Sequence, residues 1–237
     1  MARKRKKSSK SSVKNKKNHL STHKLAPQAL EQKVKALLAA AKFREAVDAG
    51  KKLLKLESSP DRQVLLAAAY EGRARGLADK GMFKEAVAIW RNRAELCSVT
   101  LYDAFFYRLL IGAGQIAQAF ECYADGQSEL QKQGSLADVR EQLAALSLAN
   151  PDAFAATNLP AEDVLVGDFP TAKAALEAYC AGDDQAMQQQ LKHISFRSPF
   201  RDLRQILKAL LQASSDASGA SVLLKKIAVG SAFYPLA

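Results

Sequence analysis

The chain has 237 residues, 48% of them apolar and 25% charged, with a formal net charge of +11. That is the composition of a folded globular chain. No apolar run approaches the ~18 residues of a membrane span, and no apolar stretch follows the basic start, so neither a membrane helix nor a secretory signal is expected. Ten of the 35 basic residues fall in residues 1–30, which hold no acid, so the rest of the chain is close to neutral.

Residues 1–26 are predicted to be a disordered basic tail, since Lys, Arg, Ser and Asn offer too little apolar surface to offset the entropy of ordering. Pro27 suits the first turn of a helix, and Leu30, Val34, Leu37 and Leu38 then recur at helical spacing. A second run, with Phe43, Ala46, Val47, Leu53 and Leu54, follows a tight break. Ser59-Pro60 reads as a cap with a first-turn proline. The helix it opens is predicted to reach about Asp79, with Gly81 as its stop.

From here a period is visible. Gly81, Phe83, Ala86 and Trp90 return 33 residues later as Gly114, Ile116, Ala119 and Tyr123. An earlier copy aligns through Phe43, Glu45 and Ala46, 40 residues ahead of its successor. A period in this range is the mark of stacked helical hairpins. Ser135 and Asp138 read as a capping box opening a helix through Leu136, Val139, Leu143 and Leu146. Residues 150–169, with Pro151, Pro160 and Gly167, read as an irregular linker between helical repeats at 27–149 and a C-terminal repeat region at 170–237. In that region LKHISFRSPFRDL (191–203) and LKKIAVGSAFYPL (224–236) are again 33 residues apart, with Asp183 and Asp216 as matched helix caps. The last of these repeats is expected to be incomplete, so a partner completes that end or the natural chain is longer.

The turn and second-helix pattern resembles the tetratricopeptide repeat, most closely over Arg62–Leu96. Tyr70, Ala74, Leu77, Gly81, Phe83, Ala86 and Trp90 stand there at the family's packing positions. Val34 and Tyr107 replace the small residue usual in the neighbouring repeats. The resemblance, clear over residues 28–125, implies an all-α, right-handed solenoid of helical hairpins. It also implies a concave groove carrying Glu31, Lys35, Glu71, Arg75, Asp79 and Arg108. Such mixed charge suits an extended peptide or a helix bearing both signs; the other reading is of ordinary solvated charges. The lysine–asparagine clamp with which some members hold acidic C-terminal tails is not present.

No catalytic or cofactor motif is found: no phosphate-cradling glycine loop, no HExxH, no nucleophile elbow and no CxxC. His19 and His23 have ligand spacing but sit in the tail without a supporting shell, so no metal site is expected. His193 is expected to cap a helix end or to lie at the surface. Cys97, Cys122 and Cys180, an odd number without paired spacing, read as small core residues in a reducing cytoplasm, not as a disulfide or zinc framework. The function expected is therefore a non-enzymatic, cytoplasmic scaffold for a protein or peptide partner, without cofactors. The alternative is attachment to nucleic acid or the ribosome. There Arg3, Lys4, Arg5, Lys6, Lys7, Lys10, Lys14, Lys16 and Lys17 would neutralise phosphates without sequence preference, no aromatic being interleaved among them. Self-association through an apolar, uncapped end of the solenoid is a further expectation.

Overall fold

The computed structural model describes residues 26–236, which form twelve α-helices, a closing 3-10 turn (Tyr234–Leu236) and no strand. The helices are α1 (Pro27–Ala39), α2 (Phe43–Leu56), α3 (Pro60–Ala78), α4 (Phe83–Cys97), α5 (Ala104–Gly112) and α6 (Ile116–Lys132). They continue with α7 (Leu136–Ala149), α8 (Pro151–Ala155), α9 (Val164–Cys180), α10 (Asp184–His193), α11 (Arg201–Ala213) and α12 (Ala217–Leu224). Among the described residues no helix is long and apolar enough to cross a membrane. The basic residues of the tail, with His19 and His23, lie outside the described residues.

One turn is used five times. Ala41, Gly81, Gly114, Gly134 and Gly182 adopt φ of +53 to +72° just past a helix end. The next N–H in each case reaches back to a carbonyl five residues earlier: Lys42 to Leu37, Met82 to Leu77, Gln115 to Leu110, Ser135 to Leu130 and Asp183 to Ala178, all at 2.9–3.0 Å. This Schellman closure satisfies carbonyls the helix end leaves free and re-aims the chain into the following helix. Four residues after each donor comes a buried side chain, Ala46, Ala86, Ala119, Val139 or Met187. One helical turn further, Trp90, Tyr123, Leu143 and Leu191 fill the seam.

Successive helices pack on one another, and α1, α5 and α9 also touch α3, α7 and α11. The main core runs from Ala74 to Phe233, and two smaller clusters, around Tyr70 and around Val34, extend it to α1. Caps fall where the sequence places them at Ser59, Asp183 and Asp216, each of which accepts from the N–H three residues on. The two C-terminal copies share their geometry down to the hydrogen bond. Ile194 and Ile227 are buried, as are Phe200 and Phe233, and the N–H of each phenylalanine donates to Ser198 or Ser231 Oγ at 3.2 Å.

Three local expectations are corrected. Cys180, the last residue of α9, is exposed rather than part of a core, whereas Cys97 is buried and Cys122 half-buried. Ser135 does not cap α7. It already closes the turn after α6, so its N–H and hydroxyl both point back to the Leu130 carbonyl and its backbone is not extended. The stretch 150–169 is also not wholly irregular: it holds α8 and the start of α9, and Pro170 lies inside α9. Burial outweighs the lost backbone hydrogen bond there, since Leu165, Ala172 and Ala175 are fully enclosed and Phe154 packs between Phe120 and Phe169.

Asp163 joins the chain on either side of this stretch. It caps α9 through the Leu165 N–H (2.8 Å) and accepts from Tyr123 Oη (3.0 Å) and Gln127 Nε2 (2.8 Å). Arg140 donates to Tyr123 Oη at 2.7 Å and lies 3.7 Å from the carboxylate. Burial pushes the Tyr123 phenol up to about 12 against the pull of Arg140. At the far end of the chain the Ala232 N–H donates to Glu141 Oε1 on α7 at 3.1 Å, and Arg201 pairs with the same carboxylate at 3.5 Å.

Candidate functional site

Three of the six expected groove residues converge where α3, α4 and α5 meet. Spacing of four residues on α3 puts Glu71 and Arg75 on one face, and they pair at 2.9–3.0 Å. Asp103 caps α5 by accepting the Phe106 N–H at 2.8 Å, which fixes the helix so that Phe105 faces α3 and α4. The Phe105 ring meets Trp90 of α4 edge-on at 4.9 Å. Two guanidinium groups lie over Phe105: Arg75 at 4.4 Å and Arg108 at 5.5 Å from the centroid. A third, Arg93, covers Trp90 at 4.4 Å.

The shell behind these groups is largely fixed. Trp90 Nε1–H donates to the Leu101 carbonyl at 3.1 Å, tying α4 to the loop before α5. Arg93 is held between the Thr100 carbonyl (3.4 Å) and Glu71 (3.9 Å), while its buried Nε has no partner. Burial pushes the Asp103 carboxyl up, opposed by its bond from Phe106 and by the Arg93 charge. Arg75 remains half exposed although paired, and Arg108 is exposed with no ion pair among the described residues. The result is an aromatic floor flanked by two outward-facing guanidinium groups, only one of them neutralised. Guanidinium groups of this kind are able to form paired, charge-assisted hydrogen bonds with carboxylates or phosphates.

The other expected groove residues sit elsewhere. Glu31 and Lys35 pair at 2.7 Å on α1, and Glu31 also meets Arg62 of α3 at 3.6 Å. Arg62 in turn binds Glu57 at 2.6 Å and its carbonyl at 3.1 Å, so this cluster ties α1, α2 and α3 together. The hydrogen bond from Lys35 holds the Glu31 carboxyl below its usual range. Asp79 is exposed at the end of α3, one turn beyond Arg75. His193 is exposed at the end of α10. Among the described residues no group of three or more side chains comes together to hold a metal ion.

The residues that sequence alone did not single out are Phe105, Arg93 and Asp103. Asp103 was recoverable as a cap before the apolar run AFFYRLLI. Phe105 was not, because nothing in that run says which ring meets the arginines. No protein-family model, curated protein or solved structure matches this chain.

Proposed function

We propose that the chain is a tetratricopeptide-like solenoid that works by binding, with the Arg75–Phe105–Arg108 surface as its docking site for an acidic peptide or helix of a protein partner. The observation that carries the reading is the convergence of Arg75 and Arg108 on one aromatic ring from two different helix pairs. The recurring turn and the buried residue five positions beyond it, alanine at the first three turns, support the solenoid, because they repeat one supersecondary unit along the chain. A cytoplasmic, cofactor-free scaffold accords with this reading. Charge supports a second one, in which the ten cations of residues 1–30 hold nucleic acid without sequence preference.

The two are separated by capture from cell lysate with and without nuclease. The baits are the full chain, a chain lacking residues 2–24, and the double variant Arg75→Glu/Arg108→Glu. The docking reading expects the tail deletion to retain the partner and the double variant to lose at least about tenfold in captured amount, which is about 1.4 kcal/mol. Loss on tail deletion together with loss on nuclease treatment, and none with the double variant, would replace it by the nucleic-acid reading.

A further inference from the structure

The surface of Arg75, Phe105 and Arg108 already holds a carboxylate of its own. Glu71 lies one helical turn before Arg75 on α3, and its Oε1 accepts from both Nε and Nη2 of Arg75, at 3.0 and 2.9 Å. Its other oxygen, Oε2, stands 3.9 Å from Nη2 of Arg93 on α4, too far for a hydrogen bond. One carboxylate thus sits between two guanidinium groups, closed on the first and open toward the second. Those two groups differ in access. The Arg75 side chain is 51% exposed and that of Arg93 15% exposed, so an acid arriving from solvent meets Arg75 first.

Arg93 has donors to spare. Its Nη1 reaches the Thr100 carbonyl only at 3.4 Å, and its buried Nε has no partner among the described residues. A buried donor without an acceptor is unfavourable, so a carboxylate that closes on Arg93 recovers there part of what it gives up at Arg75. The Glu71–Arg75 pair itself is exposed, a class that holds weakly against water and salt. Asp103, which also feels both arginines, is not free to make this exchange, because it caps α5 through the Phe106 N–H. We propose that Glu71 is an internal competitor for the docking site. With no ligand it closes Arg75, and when an acidic segment of a protein partner takes Arg75 and Arg108 it swings to Arg93. This switch rests on the docking reading of the same site and gives that site its regulation. Glu71 reaches both guanidinium groups from one position on α3, so the backbone need not move. Arg93 lies over the ring of Trp90, the single tryptophan, at 4.4 Å, so that indole senses the swing.

The probe is an acetylated hexaglutamate amide, titrated at low ionic strength against the full chain while Trp90 emission is read. Every chain compared carries the same basic tail, so differences between them belong to the folded part. Saturable binding is expected, at least about tenfold weaker for Arg75→Glu/Arg108→Glu and about threefold tighter for Glu71→Gln, which keeps the shape and removes the charge. Arg93→Gln should weaken binding about threefold in the parent chain and leave it unchanged in the Glu71→Gln chain, where no carboxylate needs a second partner. A general charge effect, or a loss of folding, would lower affinity by the same factor in both backgrounds, and that result overturns the swing. Unchanged affinity in Glu71→Gln, with binding still lost in Arg75→Glu/Arg108→Glu, overturns the switch and leaves the docking site standing. An equal response from the Arg75→Glu/Arg108→Glu chain, or no saturable response from any chain, overturns both.

Discussion

Ala41 holds a backbone conformation that glycine holds at the four equivalent turns. Its φ of +53° brings Cβ against the following carbonyl, a strain of about 1–2 kcal/mol for an L-residue. Glycine relieves it at the expense of a more flexible unfolded chain. Ala41→Gly is therefore expected to stabilise the protein by about 0.5–1 kcal/mol, and Gly81→Ala to destabilise it by about 1 kcal/mol. Urea unfolding followed by far-ultraviolet circular dichroism checks both, and equal signs for the two changes would contradict the account. Space is not the cause at Gly81, since a Cβ there would meet nothing within 4 Å.

Between helix pairs a second glycine effect operates, and here space decides. Gly72 of α3 lies against the Phe43 ring of α2, and Gly112 of α5 against the Phe83 ring of α4, with the same 29-residue separation in each case. A Cβ at Gly112 would come within 2.6–2.8 Å of that ring, closer than contact allows. Gly112→Ala should cost about 1–3 kcal/mol by overpacking, and much of that should return in the Gly112→Ala/Phe83→Leu double variant. Gly76→Ala on α3, where a Cβ meets nothing, is the contrast and should stabilise by about 0.5–1 kcal/mol through helix propensity. The order of these melting curves is the measurement. Repetition explains what could be read ahead of the structure. Gly81 with Ala86 and Trp90, and Gly114 with Ala119 and Tyr123, are local patterns that announce turn and seam together. The start of α9 gave no such signal, because Pro160, Gly167 and Pro170 punctuate a segment that only its burial against α6 and α7 makes helical. Ser135 satisfied the capping pattern but was already committed to the preceding turn. At the candidate site the pairing of Glu71 with Arg75 follows from their spacing, whereas the meeting of Arg75 and Arg108 over Phe105 depends on how three helices pack.

At the scale of the whole molecule, one polar joint ties distant parts of the chain together. Asp163 caps α9 and holds Tyr123, Gln127 and Arg140, so it links α6 and α7 to everything that follows. Replacing it with alanine uncaps α9, takes the carboxylate from the half-buried Arg140 and leaves the buried Tyr123 hydroxyl without its acceptor, an expected loss of about 2–3 kcal/mol. In chains built of neighbouring units such a loss uncouples the segments on either side. Trp90, the single tryptophan, reports on α4, whereas circular dichroism reports on every helix. For the Asp163→Ala variant the helix signal is expected to fall at lower denaturant than the Trp90 fluorescence. In the parent chain the two transitions should coincide. Coincidence in the variant as well would mean that the apolar contacts of Phe154 and Leu165 hold the joint unaided.

The turns that build these helix pairs also have a practical consequence. At Gly81, Gly114, Gly134 and Gly182 a side chain would point into open space, so the tips of these turns carry no packing duty. Chain inserted at such tips disturbs little of a folded core. Peptide epitopes, fluorophores or new termini from circular permutation can thus be grafted at four sites along the molecule, with Arg75, Phe105 and Arg108 themselves unaltered.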